Sequence, residues 1–176
     1  MLAATLAGPA FARDLTVAEV NGADITKSKD KSSRPVLIRA QVLLDRAGFS
    51  PGVIDGRAGG NFVNALHAFQ QQNGLKESGE LDPPTWSKLL ETSAEPALGD
   101  YVISDDDAKG PFVKEIPDSL EKKAELKRLA YTGPEELLAE KFHMDEDLLE
   151  QLNPGKALDR TGTSIVVANV KQAPPK

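Results

Sequence analysis

The sequence predicts a mainly α protein in two units. A three-helix bundle spans residues 34–91, and a small α+β unit, strand–helix–helix–strand, spans residues 126–170. Three observations predict this. Apolar residues recur at helical spacing in three runs between Arg34 and Glu91. The first two runs end at helix stops, Gly48 and Asn73-Gly74, and the third opens on a helix start, Asp82-Pro83. A β-branched run, Ser164-Ile165-Val166-Val167-Ala168-Asn169-Val170, closes a later stretch that is otherwise helical.

In the first run Leu37, Ala40, Leu44 and Ala47 fall at i, i+3, i+7 and i+10, and Gly48 stops the helix. In the second, Phe62, Ala65, Leu66 and Phe69 fall at i, i+3, i+4 and i+7, with Asn61 in the N-cap position. In the third, Asp82 caps, Pro83 takes the first helical position where no N–H is needed, and Trp86, Leu89 and Leu90 form the inner face. A domain of roughly 60 residues buries only about 60% of its unfolded surface. Truncating Leu44, Phe69 or Trp86 to alanine therefore costs on the order of 2–5 kcal/mol.

The second unit starts with Leu129-Ala130-Tyr131-Thr132 as its first strand. A helix follows from Pro134, with Leu137, Leu138, Lys141 and Phe142 on or beside its inner face. His143-Met144 breaks it, Asp145 caps the next helix, and Leu148, Leu149 and Leu152 line that helix up to Asn153-Pro154-Gly155. Between the units, residues 92–125 read as an irregular connector, with short extended pieces around Tyr101-Val102-Ile103 and Phe112-Val113. Residues 13–33 are polar and read as a flexible linker, as do residues 171–176 at the end. Residues 1–12 are small and apolar, and Ala10-Phe11-Ala12 fits an export cleavage signal, so they read as a signal-peptide remnant.

Composition narrows the function. Net charge is -6, with 27 acidic against 21 basic residues, which argues against nucleic acid as the main partner and against an anionic membrane surface. With no cysteine there is no disulfide, no thiolate metal site and no cysteine nucleophile. His67 and His143 lie far apart in sequence, so no metal or other cofactor is expected. No apolar run reaches the ~18 residues of a membrane span.

The stretch GVIDGRAGGNFVNALHAFQQQNGL, residues 52–75, opens like a glycine-rich ligand loop. It lacks the Lys-Ser/Thr of a phosphate loop, and no strand precedes it, so its glycines read as a turn that aims a helix. Asp105-Asp106-Asp107 is no calcium loop, because Lys109 and Ile116 stand where oxygen ligands are required. No carboxylate pair stands in a catalytic motif, so the chain is expected not to be an enzyme. Glycan recognition needs an apolar floor with amide or hydroxyl partners. Phe49, Phe62, Tyr131, Gln70, Gln71 and Asn73 are of those types, while Trp86 and Phe69 are better read as core.

The first unit resembles the peptidoglycan-binding domain found beside many cell-wall enzymes. The resemblance is carried by Leu37, Ala40-Gln41, Leu44 and Ala47-Gly48-Phe49, then Gly52, Asp55-Gly56 and Gly59, then Ala65, Phe69-Gln70 and Asn73-Gly74-Leu75, and finally Gly79, Leu81-Asp82, Thr85-Trp86 and Leu89. The second unit resembles a LysM domain, a module for N-acetylglucosamine polymers, through Tyr131-Thr132, Leu137 to Phe142, Leu148-Leu149 and Leu152 to Gly155. Together they resemble the N-terminal, non-catalytic half of exported L,D-transpeptidases, whose catalytic domain carries a Ser-His-Gly-Cys motif.

The resemblances imply a non-catalytic protein of the periplasm or cell envelope. Its partner would be a glycan strand or stem peptide of peptidoglycan. Phe49, Asp55, Arg57, Phe62, Gln70 and Asn73 would bind from the first unit, and Tyr131, Thr132 and Asn153 from the second. A module that docks on a cell-wall enzyme is the competing expectation, and an enzyme fragment is another.

Overall fold

A computed structural model describes residues 15–28, 30, 32–113 and 131–170. Helix α2 (Arg34–Arg46) is the spine of the molecule. Pro35 suits its first turn, and Gly48, at φ 86°, follows its end. Helix α3 (Gly60–Gln72) starts two residues before the position that an Asn61 cap implies, with Gly59 as the N-cap. The Asn61 side chain packs instead against Gly52, where an added Cβ would come within 2.9 Å of it. Helix α4 (Pro83–Thr92) starts as expected, and the Thr85 N–H donates to the Asp82 carboxylate at 2.9 Å.

These three helices enclose one apolar core that includes Leu37, Leu44, Phe62, Phe69, Trp86 and Leu89. Two further members, Ala23 and Ile25, come from the stretch expected as a flexible linker. That expectation is corrected by packing. A short helix, α1 (Val17–Asn21), forms there behind a capping box of Thr16 and Glu19, and it buries Val20 completely.

A second core lies on the opposite side of α2. Ile38 and Val42 of α2, Ile54 of the following loop and Val20 of α1 pack there with residues of the second unit, among them Leu138, Phe142 and Leu149. The two units are thus joined by shared apolar surface rather than by a tether alone. A buried arginine adds a polar tie. Arg46 at the end of α2 donates to the Ser93 hydroxyl at 2.9 Å, to the Glu95 carbonyl at 3.0 Å, and to the carbonyls of Pro96 and Asn169.

The second unit contains α6 (Pro134–Lys141), α7 (Glu146–Leu152) and β2 (Ser164–Ala168). Both helices and the closing strand fall where the sequence put them. The strand partner does not. β2 pairs antiparallel with β1 (Leu98–Val102), from the expected irregular connector, in the register Leu98↔Ala168 to Val102↔Ser164. Tyr131 instead makes an isolated parallel bridge to Phe112. Leu129 and Ala130 lie outside the described residues, as do residues 1–12, 114–125 and 171–176. A one-turn helix, α5 (Asp105–Lys109), follows β1, with Ser104 and Asp107 as its capping box.

Two side-chain amides close the outer edges of this two-stranded sheet. Asn21 donates to the Leu98 carbonyl at 3.0 Å and accepts from its N–H at 2.8 Å. Asn153 does the same for Val166 on the other strand, at 2.7 and 2.6 Å. Each amide acts as a one-residue strand, satisfying backbone groups that a bare edge would leave open. Among the described residues no helix is long and apolar enough to cross a membrane.

Candidate functional site

The glycine-rich loop that follows α2 is held by one buried side chain, Gln41. Its carbonyl oxygen accepts from the Gly56 N–H at 2.8 Å, and its amide nitrogen donates to the Asp55 carboxylate at 2.9 Å. The Asp55 carboxylate also accepts from the Arg57 N–H at 2.8 Å, which closes an Asx-type turn. Gly56 has φ 73°, and a Cβ there would stand 2.5 Å from Arg34 Cγ. Only glycine fits. The glycines therefore shape a turn, and Asp55 is half-buried and spent on that turn.

A second glutamine repeats the device. Gln70, fully buried on α3, accepts from the Gly79 N–H at 2.9 Å. It donates to the Glu80 carbonyl and to the Thr85 hydroxyl, each at 2.9 Å. Each of the two turns is pinned by one internal amide, so the surface they present is preformed.

The second unit carries a groove at the junction of its two helices. It has a volume near 630 Å³ and is lined by Glu135 at the start of α6, Glu150 near the end of α7, and the turn from Asn153 to Asp159. Burial raises the Glu135 carboxyl above the usual glutamate range, and hydrogen bonding to the neighbouring Glu150 carboxyl adds to the rise. The two carboxyls place polar groups on the groove wall within reach of ligand hydroxyls.

Elsewhere, on α5, Asp107 gathers a polar network. Tyr101 donates to it at 2.5 Å, the Ser104 hydroxyl at 2.6 Å and Lys141 at 2.9 Å. Burial pushes the Asp107 carboxyl up, but these hydrogen bonds outweigh it and hold it at about 2. Burial works against the Lys141 charge as well, and Tyr101 and Asp107 restore it, so its pKa ends above the usual value. An ammonium held in that way is no base for the nearby Ser104, and the network braces α5 against α6. No group of three or more metal-ligating side chains occurs among the described residues.

Residues 33–89 match the family model described as "Putative peptidoglycan binding domain". The match begins one residue before α2 and ends within α4, so it covers the bundle. It supports peptidoglycan binding as the general role of this bundle. No curated protein matches the chain.

Within the bundle, the structure sorts the residues expected to bind. Arg57 is exposed at the loop tip, and Phe49 is half-buried, edge-on to Phe69 with ring centres 5.4 Å apart. Phe62 and Gln70 are corrected. Phe62 is a core residue, and every polar atom of Gln70 is used internally. Asn73 is half-buried and caps α3, its amide donating to the Phe69 carbonyl at 2.8 Å. In the second unit Asn153 is buried and serves the β2 edge, while the turn it opens lines the groove. Thr132 is exposed, but its N–H and hydroxyl are taken by the Glu136 carboxylate at 2.6 and 2.7 Å. Tyr131 is half-buried, and burial raises its phenol pKa, helped by Glu140 and Glu136. Neither Tyr131 nor Thr132 lines the groove. Glu135, Glu150 and Leu158, which do, carried no sequence signal, because the helix–turn that assembles them has no periodic mark.

Proposed function

We propose that this protein binds peptidoglycan without modifying it, in the periplasm or cell envelope, as the accessory half of an L,D-transpeptidase-type protein. The match of residues 33–89 to a peptidoglycan-binding family carries the reading. The preformed loop supports it, since a surface ordered before binding loses less entropy on contact. The second unit is LysM-like on this reading, and the 630 Å³ groove beside Asn153-Pro154-Gly155 takes a sugar of the glycan strand. Export is supported by Ala10-Phe11-Ala12, which fits a cleavage signal. Absence of cysteine supports a non-catalytic role, because the related chemistry uses a cysteine nucleophile.

Purified protein should co-sediment with insoluble peptidoglycan. Retention of all the protein in the supernatant, at low and at high salt, would end this reading.

A further inference from the structure

A second concavity lies where the two units meet. The cleft has a volume of about 510 Å³ and is lined by Asp45, Gly48, Ser50, Gly52 and Val53 from the first unit, and by Ala139, Glu140, His143 and Met144 from the second. That volume falls in the range of about 300–1,000 Å³ typical of small-ligand sites. Neither unit alone supplies both walls.

The walls are fixed. The Ile54 N–H donates to the His143 carbonyl at 2.8 Å, and the Asp145 N–H donates to the Ile54 carbonyl at 3.0 Å. His143 has φ 56° and is the only non-glycine residue with positive φ among those described. Glycine would relieve that backbone, so the imidazole has a purpose that repays the strain. One part of it is visible: Nδ1 lies 2.8 Å from the Asp45 carboxylate.

Two helix ends bring negative potential to the cleft. Helices α2 and α6 both end at it, and a helix C-terminus carries partial negative charge. Each helix also places an acid in its last turn, Asp45 and Glu140, where an acid costs stability. The basic residues of those same turns are engaged elsewhere. Arg46 reaches Glu95, Pro96 and Asn169, and Lys141 reaches Tyr101 and Asp107. His143 answers Asp45, which leaves the exposed Glu140 carboxylate with no hydrogen-bond or ion-pair partner among the described residues. Beside it, Val53 is 55% exposed, one of two large apolar side chains left so open among those described.

We propose that this cleft binds an aliphatic ammonium group, the free amine of a diamino acid in the stem peptide of peptidoglycan. Val53 takes the methylene chain, Glu140 and the two helix ends take the charge, and the Ser50 hydroxyl accepts a hydrogen bond from the ammonium. The proposal rests on the peptidoglycan-binding reading and adds to it the part of the polymer that is recognised.

The test compares intact purified peptidoglycan with the same material after acetylation of its free amines. Wild-type protein should sediment about two- to fivefold more strongly with the untreated wall, the upper part of the range expected for one exposed charge contact. Glu140→Gln, which breaks no side-chain hydrogen bond or ion pair among the described residues, should bind both materials equally, at the level of wild type on acetylated wall. Equal wild-type binding to both materials would overturn the proposal and leave the peptidoglycan reading standing. So would a Glu140→Gln protein that still discriminates between them. Binding of wild type to neither material would overturn both.

Discussion

Replacing Arg46 by alanine removes a polar group that ties α2 to both the segment before β1 and the residue after β2. Its guanidinium is buried and makes four hydrogen bonds, to Ser93, Glu95, Pro96 and Asn169. A hydrogen bond involving a charged partner contributes about 1.5–3 kcal/mol, and an abandoned buried acceptor costs about 1–3 kcal/mol. Ser93 can turn to water, and Glu95 and Pro96 are exposed residues whose carbonyls can partly rehydrate. Counting two of the four bonds in full gives an expected loss of about 3–6 kcal/mol. Urea unfolding followed by circular dichroism measures it. Arg46→Lys should lose less, about 2–3 kcal/mol, because one ammonium cannot span the acceptors that a planar fork reaches. Both variants should unfold in a single transition, since the clamp and the second core join the units. A loss under about 1 kcal/mol, or separate transitions for the two units, would refute the reasoning.

Three further outcomes are expected. The Asp107 carboxyl is held at about 2 in the folded protein against 3.8 as its ordinary value. Its contribution, roughly 2 kcal/mol, should be complete above pH 4 and fade as pH falls through about 2, and Asp107→Asn should flatten that part of an acid-unfolding curve. Gly56→Ala places a Cβ 2.5 Å from Arg34 Cγ at a left-handed backbone and should cost about 2–4 kcal/mol in urea unfolding, whereas Gly59→Ala, with open space around it, should cost less than about 1. Arg57→Ala should leave the melting temperature unchanged while lowering retention on peptidoglycan, since Arg57 is exposed at the loop tip; a fall in melting temperature would show that its role is structural.

The bundle was legible because its helices announce themselves locally. Leu37, Ala40 and Leu44 state one face of α2, and Asp82-Pro83 states the start of α4. The other face of α2 was missed. Ile38 and Val42 sit between residues already assigned to a stripe, and a helix apolar on two sides is buried on two sides. α1 is too short to show a period, and β1 finds its partner more than sixty residues later, a pairing that local pattern cannot state. The candidate site suffered from a different blindness. Gln70 has the chemistry of a sugar ligand, and so does any buried amide that pins a turn; residue type does not reveal burial. Gln41 carries the mirror-image role and was noticed only as part of a resemblance. The junction cleft needed the docking of the two units, which no single motif encodes.

The most direct measurement is a binding isotherm of the whole protein on purified, insoluble peptidoglycan, with soluble fragments of the same polymer as competitor. Saturable binding that the fragments reverse, and that survives high salt, is expected. Binding that rises without saturation and vanishes with salt would mean charge adsorption alone, and no binding at all would remove peptidoglycan as the ligand.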